Sequence, residues 1–408
     1  MIDLVSIAAL LGYGVKDLTS LISKIKQSRA KKKLMEHAEK VKDFAYDAAV
    51  CRLLGEYYSG SAGTSDLQRY RVRVAKEFKE TAVFSTPDRT GMKVPSSEVD
   101  CGLETAERVA VPLQVRDLAP TVIARLDQLD VKVTNDPMFR LLKASLIGPE
   151  LSFRFGTSSF CDYRFTTGLL EDELRDSLAL HEGNIERIMH EPSRALPVRE
   201  ALLPNVRALT SFSSRICAGG AGTLFAMARR EPHNDFIFPV QTRSDKVADG
   251  RGLLAVLPKG THAYGVDPLA EVGIESTIYR ELAEEIYGEK EAEGYGTRLK
   301  HDWYFKLPGL GYFREHEGAF TNEIVGFGLN SLSGNFEFSG EMKGMWEYTK
   351  VELVSTKNPA RIQQLLMEGN WASESVFHLV EGLIRLHEIE PRRVDLPDIG
   401  RELVKHTV

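Results

Sequence analysis

Residues 280–288, Arg-Glu-Leu-Ala-Glu-Glu-Ile-Tyr-Gly, concentrate the side chains of this chain that are best spaced for chemistry. On a helix, three apolar residues that recur every four positions would face the core: Ile278, Leu282 and Ile286. At about 100° per residue, three carboxylates then fall within one arc of roughly 100° beside that stripe: Glu281, Glu284 and Glu285. Arg280 lies four residues before Glu284 and can pair with it.

Three carboxylates on one helix face repel one another, and burial strengthens the repulsion. A hard divalent cation offsets this repulsion. Mg²⁺ prefers oxygen ligands, keeps several waters and bridges carboxylates to phosphates, and Mn²⁺ is the alternative cation. Taken alone, the carboxylates have a simpler interpretation as a solvated acidic face, which is common on helices.

The residues around this helix resemble the Nudix box, whose consensus is G-x5-E-x7-R-E-U-x-E-E-x-G-U, with U an aliphatic residue. Five residues match R-E-U-x-E-E in type and spacing: Arg280, Glu281, Leu282, Glu284 and Glu285. Upstream, the apolar strand that ends at 257–260 (Leu-Pro-Lys-Gly) is similar to the family's entrance to the box loop. The strand at 236–241 runs into Thr-Arg-Ser, similar to a family triplet. The segments 323–329 and 346–351 look like the family's paired strands after the helix, so the resemblance covers about residues 200–390.

The chain also departs from this consensus in the loop before the helix. Arg280 follows Gly260 by 20 positions, where the consensus has 14. Glu271 is one residue out of register with the box glutamate, and Glu275 is further off. Tyr287 stands at the consensus glycine, and the next residue is the glycine that can cap the helix.

The resemblance implies an α/β fold, with a Nudix-type α/β/α sandwich and a mixed sheet in the C-terminal half. A helical N-terminal segment and a mixed α+β region would precede it. We predict a helical segment at 1–60, a mixed region of unknown role at 61–198, a Nudix-like domain at 199–390 and a C-terminal tail at 391–408.

The resemblance also implies a Mg²⁺-dependent hydrolase of a nucleoside diphosphate linked to another moiety. Glu281, Glu284 and Glu285 would bind the metal and act in catalysis with Arg280. Three residues would contact the substrate: Lys259, Gly260 and Arg243. Lys259 and Arg243 have the alternative reading of surface charges. The alternative function is a catalytically weak or inactive nucleotide or metabolite sensor that signals through its N-terminal region.

Composition limits the class of protein. The chain has 408 residues, of which 43% are hydrophobic and 27% charged, as in soluble globular proteins of about two domains. A net charge of −6 provides no general basic field, so we expect no nucleic-acid partner. The four cysteines lack CxxC spacing, which predicts free thiols in a reducing compartment, the cytoplasm: Cys51, Cys101, Cys161 and Cys217.

The N-terminus carries two alternatives. Residues 4–15 are uncharged but far shorter than the roughly 20 apolar residues of a spanning helix, and they lack signal-peptide features. A basic run follows at 29–33, so residues 1–33 form either a helix that packs on the protein or on a second copy in a homo-oligomer, or one that touches a membrane surface.

Hydrophobic periodicity predicts the remaining elements. We expect strands at 152–155, 222–228, 235–241, 253–257, 324–328 and 346–354, and helices at 169–180, 274–287 and 373–387. The glycine-rich run 217–223 predicts a close-packed turn into a strand, since it lacks a phosphate-binding signature. Five aromatic residues predict core packing: Phe153, Phe155, Phe160, Tyr163 and Phe165. Residues 66–145 give no recognisable unit.

Overall fold

The protein is an α/β structure with two sheets. The computed structural model describes residues 46–59, 67–87, 90–128, 133–146, 150–230, 232–243, 252–286, 301–316, 320–344, 352–372, 374–389 and 395–404. The predicted N-terminal helix of 1–33 lies outside the described residues. No helix in the described ranges has the length and apolar character needed to cross a membrane.

The strands are distributed along most of the described chain. They are β1 (Gln68–Val74), β2 (Glu77–Ser85), β3 (Val94–Pro95), β4 (Asp100–Leu103), β5 (Pro137–Ser145), β6 (Ser152–Ser159), β7 (Gly219–Arg229), β8 (Asp235–Thr242), β9 (Leu254–Val256), β10 (Lys259–Thr261), β11 (Thr321–Asn330), β12 (Phe336–Gly344), β13 (Glu352–Ser355) and β14 (Ile399–Val404).

The large sheet has the order β13-β8-β7-β12-β11-β2-β1-β14, and β10, β9 and β3 pair with β7, β8 and β11. It is mixed, because β7 and β12 run parallel while its other described pairs are antiparallel. The small sheet has the order β4-β6-β5.

The helices are mostly short and cluster between β6 and β7 and after β10. They are α1 (Tyr46–Ser59), α2 (Leu113–Gln128), α3 (Phe160–Arg164), α4 (Leu169–Leu180), α5 (Ile185–His190), α6 (Pro192–Ala195), α7 (Pro197–Leu202), α8 (Val206–Leu209), α9 (Pro268–Glu271), α10 (Ile274–Glu285), α11 (Pro308–Glu315), α12 (Pro359–Glu368) and α13 (Ser375–Ile389). Short 3₁₀ turns occupy Ser96–Glu98, Phe212–Ser214 and Trp303–Lys306.

Strand β7 shows how the large sheet is covered on both faces. Because successive side chains of a strand point to opposite faces, Ala221 and Phe225 enter one core, and Leu224 and Ala226 enter another. The first core contains α10 and the second contains α12 and α13. The large sheet therefore has helices on each face.

The small sheet packs against the α10 side of the large one through aromatic rings. The centroids of Phe153 and Phe338 are 4.8 Å apart, and those of Phe155 and His262 are also 4.8 Å apart. The predicted core role of the aromatic cluster is confirmed for Phe153, Phe155, Phe165 and Tyr163, which are buried, whereas Phe160 is partly buried and packs against the core. The free state of the four cysteines is confirmed as well.

Several predicted elements are confirmed with small changes in their bounds. Helix α4 occupies 169–180 as predicted, β7, β8, β9 and β11 contain or overlap the predicted strands, and α13 begins two residues late. Strand β11 pairs with β12, and β13, which overlaps the predicted strand 346–354, pairs with β8. The expected pairing of 323–329 with 346–351 stays a prediction. Residues 345–351 and 287–300, including Tyr287 and Gly288, lie outside the described residues.

The large sheet draws strands from three of the predicted regions. β1 and β2 come from the mixed region, and they join the sheet through β2 and β11. β14, from the predicted tail, pairs with β1 at the sheet edge. The proposed division at 198/199 stays a prediction, but the strands of one sheet come from both sides of it.

Candidate functional site

Helix α10 follows Gly273 and buries a stripe of small and aliphatic residues. Ile274, Ile278, Leu282 and Ala283 are fully buried in the core shared with β7. This spacing of three and four residues puts the helix's remaining face toward the end of β10. The predicted apolar stripe is confirmed, with Ile286 buried as well.

Two glycines allow this helix to approach the sheet closely. A Cβ added to Gly260 would lie 1.8 Å from Cδ of Glu281, and one added to Gly220 would lie 1.9 Å from the carbonyl oxygen of Gly260. At Gly220 no side chain fits, because the close atom belongs to the main chain, and at Gly260 a side chain would displace the Glu281 carboxylate. The observed stacking of β7, β10 and this carboxylate therefore requires that both positions lack a Cβ. Gly260 is therefore beside the predicted carboxylates.

The Glu285 carboxylate is fixed by two donors. The main-chain N–H of Lys259 donates to Oε2 at 2.7 Å, and Nε2 of Gln241 donates to Oε1 at 3.1 Å. Burial and then the negative charge of Glu281 raise the pKa of Glu285 to about 7, against the opposing effects of these donors and of Arg243. Glu281 and Glu285 thus form a pair of neighbouring, like-charged side chains.

Arg280 ties the start of this pair to β10. Its Nη2 donates to Oε1 of Glu281 and to the carbonyl of Thr261, both at 2.8 Å, and its Nη1 donates to the carbonyl of Ala263 at 2.8 Å. Only 13% of the Arg280 side chain and 14% of the Glu281 side chain are exposed, so water screens the ion pair little. The predicted pairing of Arg280 with Glu284 stays a prediction.

Lys259 binds one carboxylate through its main chain and another through its side chain. Its main-chain N–H binds Glu285, whereas its ammonium group donates to Glu374. Glu374 also accepts from Nδ2 of Asn330 at 3.1 Å. Sequence reasoning missed Glu374 and Gln241, because Glu374 lies 115 residues from Lys259 and neither belongs to a short motif.

A cavity of about 150 Å³ lies beside these groups. Its wall includes all three predicted substrate-binding residues: Arg243, Lys259 and Gly260. Glu374 and Glu337 also line it. Burial raises the pKa of Glu337, whose Oε2 lies 3.5 Å from Nε2 of the buried His378. The charged residues of the wall are of both signs: Lys79, Arg243 and Lys259, and Glu80, Glu171, Glu337 and Glu374. The α10 carboxylates adjoin this cavity through Lys259 and Gly260 and are not among the residues that line it.

A buried histidine connects β10 to the start of α10. His262 is fully buried, with Nε2 3.1 Å from the carbonyl of Val272 and Nδ1 2.8 Å from Oγ1 of Thr277. Because a carbonyl only accepts, Nε2 carries the proton and the Thr277 hydroxyl donates to Nδ1. Burial and then the charge of Arg280 lower the pKa of His262 to about 3. It is a neutral structural link.

The longer loop before α10 is held by Glu271. Its carboxylate accepts from the main-chain N–H groups of Gly265 at 2.8 Å and of Val266 and Asp267 at 3.0 Å. A carboxylate with three such donors fixes the turn that leads into the short helix α9. Glu271, one position out of register with the consensus, therefore has a positional role here.

The carboxylates of α10 meet part of the requirements of a magnesium site. Two adjacent carboxylates suit Mg²⁺, since proteins bind this ion through one or two carboxylates, with waters and substrate phosphates as the other ligands. Within the described ranges, no group of three or more His, Cys, Asp or Glu side chains is arranged to hold a metal. Glu284 is half-buried on the same helix, and its role as a third ligand stays a prediction.

Comparison with known proteins does not assign the chain to a family. No protein-family model matches it. A search of curated proteins finds no significant match either. The candidate site therefore depends on its own geometry and chemistry.

Proposed function

We propose that this protein is a Mg²⁺-dependent hydrolase of a nucleoside diphosphate linked to another moiety, with the Nudix-type α/β/α sandwich as its fold. The observation that carries the proposal is the pair Glu281 and Glu285, two largely buried carboxylates one helix turn apart whose negative charges interact. Arg280 pairs with Glu281, whereas the hydrogen bonds to Glu285 come from the uncharged Lys259 N–H and Gln241 amide. Their mutual repulsion is offset by a divalent cation, and a diphosphate brings the further oxygen ligands. The cavity beside Lys259 and Gly260 provides space for the phosphate groups of that ligand.

The residues of the chain would orient the reacting groups. Arg280 holds Glu281 against β10, and the Lys259 N–H and Gln241 hold Glu285. Arg243 lines the same cavity and places positive charge near the phosphates. Such fixed positions lower the barrier because no group must reorganise during the reaction.

Glu281 and Glu285 would hold Mg²⁺, with Glu284 as a further candidate on the same helix. When bound, the ion would neutralise charge on the diphosphate and lower the pKa of a nearby water. Lys259 would exchange its contact with Glu374 for one with a phosphate oxygen, since both acceptors are anionic.

Turnover of a compound panel tests this function. Full-length protein with Mg²⁺ is incubated with dinucleotides, nucleotide sugars and nucleoside triphosphates, and released phosphates are measured. We expect at least one diphosphate compound to be hydrolysed, and Glu285→Gln to abolish most of that turnover. The matched control is Glu352→Gln, a surface carboxylate of β13 paired with Arg361. Absence of turnover, or equal turnover in Glu285→Gln, would contradict the proposal.

One observation favours the alternative function, a sensor that binds nucleotide without efficient hydrolysis. The ammonium of Lys259 is engaged by Glu374, which places an anionic group at the mouth of the substrate cavity. A ligand that displaces Glu374 would stabilise the protein in proportion to the logarithm of its concentration over Kd. Thermal stabilisation by a panel compound without its hydrolysis would support the sensor.

A further inference from the structure

A second cavity of about 350 Å³ lies between the small sheet, α3 and residues 106–112. It shares no lining residue, in the described part of the chain, with the cavity beside Lys259. One part of its wall is apolar, with Leu202, Ile216 and residues 109–112. The other part is polar and includes Arg140, Thr167 and Asp162.

Arg140, on β5, is buried, and neighbouring groups offset its positive charge only in part. Only 3% of it is exposed, and its Nη2 donates to the main-chain carbonyl of Glu107. Its Nη1 is buried and has no hydrogen-bond partner among the described residues. Burial lowers the pKa of Arg140, the direction expected for an uncompensated cation. A buried charge of this kind is costly unless a partner satisfies it.

The other charged residues of the wall do not hydrogen-bond to this Nη1, although the negative charge of Asp162 raises the pKa of Arg140 against the effect of burial. The Asp162 carboxylate accepts from the Ser159 N–H at 3.2 Å and from the Ser158 hydroxyl at 3.4 Å, at the start of α3. Arg215 is a second buried guanidinium, and it donates to main-chain carbonyls, including that of Gly334 at 2.8 Å. Among the lining residues that are described, the buried charged ones are both arginines.

A second hydrogen-bonding group in the same wall has no partner among the described residues. Thr167 is fully buried, and its hydroxyl oxygen has no hydrogen-bond partner in the part of the chain that the structure describes. The neighbouring Thr166 differs, because its hydroxyl donates to the carbonyl of Asp162. Buried hydroxyls are normally hydrogen-bonded, so this one and Arg140 Nη1 are two unsatisfied groups beside one cavity.

We propose that this cavity binds a small organic anion, whose carboxylate or phosphate group contacts Arg140 and Thr167. Arginine binds both kinds of oxyanion in a planar geometry, and a hydroxyl adds a second donor. The volume exceeds that of a bare ion and falls within the range of small-ligand pockets, and the wall at 109–112 suits an apolar group. The proposal does not depend on the hydrolase function.

Thermal unfolding of the full-length protein tests this site. Butyrate, butyl phosphate and inorganic phosphate are added at constant ionic strength, with chloride as the reference. We expect a saturable rise in Tm with butyrate or butyl phosphate, following the logarithm of concentration. The comparison of these two compounds, which share a tail, identifies the preferred head group. An equal rise with chloride, or no rise with any of the three anions, would overturn the proposal.

Variants separate binding from general stabilisation. Arg140→Met is expected to lose the anion-dependent rise, whereas Arg154→Met, which removes an exposed arginine of β6 paired with Asp100, keeps it. Thr167→Val is expected to raise the half-saturating concentration about tenfold, as for loss of one charge-assisted hydrogen bond. This variant keeps the test decisive if Arg140→Met does not fold. Wild-type binding in both cavity variants would contradict the proposed contacts.

Discussion

Helices α4 and α10 each bury a carboxylate, but they surround it differently. Asp172 of α4 lies 2.6 Å from Nη1 of Arg164 and 3.5 Å from Nη1 of Arg125. Burial opposes its charge, yet Arg164, Arg175 and Arg125 outweigh burial and lower the pKa of Asp172. Glu285 of α10 has the opposite surroundings, because burial and a second carboxylate act in the same direction.

This difference distinguishes a structural charge from a functional one. A compensated cluster such as that of Asp172 joins α2, α3 and α4 and needs no ligand. The pair of Glu281 and Glu285 is compensated only in part, through Arg280, so it costs folding free energy, and we propose that a ligand supplies the missing charge. The same logic identifies Arg140, where the uncompensated charge is positive.

The largest effect that would sharpen the comparison is on stability at α4. Asp172→Asn leaves Arg164 and Arg125 buried without their anion, so we expect the free energy of unfolding to fall by about 3–5 kcal/mol. Urea denaturation measures it. Asp176→Asn, at a partly exposed partner of Arg125, is the control with an expected loss of about 1 kcal/mol or less. A loss below 1 kcal/mol for Asp172→Asn would remove the distinction.

At α10 we expect the opposite pattern, a small change in stability with a large change in turnover. Glu281→Gln removes a like charge beside Glu285, which is stabilising, and the charged partner of Arg280, which is destabilising. Because the two effects oppose each other, the free energy of unfolding should change by less than about 1 kcal/mol, while hydrolysis falls about 100-fold. Urea denaturation and initial rates with the best panel compound measure the two effects. A large stability loss with unchanged turnover would make this carboxylate structural, like Asp172.

Gly260→Ala tests the close approach that places Glu281. The added Cβ would collide with the end of the Glu281 side chain, which is flexible enough to move aside. We expect about a tenfold loss of turnover, equivalent to about 1.4 kcal/mol, with a comparable or smaller loss of stability. Gly273→Ala, where an added Cβ meets no atom within 4 Å, is the control and should keep full turnover. Equal rates for both variants would contradict the placement.

The last effect concerns acid stability through His262. Its folded pKa of about 3 lies below the ordinary value of 6.5, so unfolding takes up a proton between these pH values. Stability is therefore lost as pH falls below 6.5, at up to about 1.4 kcal/mol per pH unit. Urea midpoints of wild type and His262→Gln between pH 7 and pH 5 measure this slope. Identical pH dependence in both proteins would contradict a neutral buried imidazole.

The periodic elements could be predicted from the sequence because each carries its pattern locally. The stripe of Ile278 and Leu282 predicts α10, and the apolar runs predict β7 and β8. The glutamate spacing also led to the pair at 281 and 285, since one helix turn fixes their separation. In α10 the residues that carry the chemistry and those that carry the helical periodicity belong to the same short segment.

The rest depends on contacts between distant segments. Strand β2 pairs with β11 across more than 200 positions, and no local pattern encodes that register. Glu374 reaches Lys259 only through the packing of α13, and the Arg140 cavity combines residues from 106 to 216. Strand β12 was missed because two runs rich in polar residues and glycine, 330–335 before it and 339–344 within it, resemble a loop. Phe336 and Phe338 nevertheless alternate toward the core.

The central claim is that the α10 carboxylates hold a divalent cation, and Mn²⁺ binding tests it most directly. Free Mn²⁺ is followed by electron paramagnetic resonance during titration into full-length protein and into the double variant Glu281→Gln/Glu285→Gln. We predict a binding site in the wild type whose affinity falls at least about tenfold in the double variant, as expected when carboxylate ligands are removed. Indistinguishable titrations of the two proteins would contradict the claim.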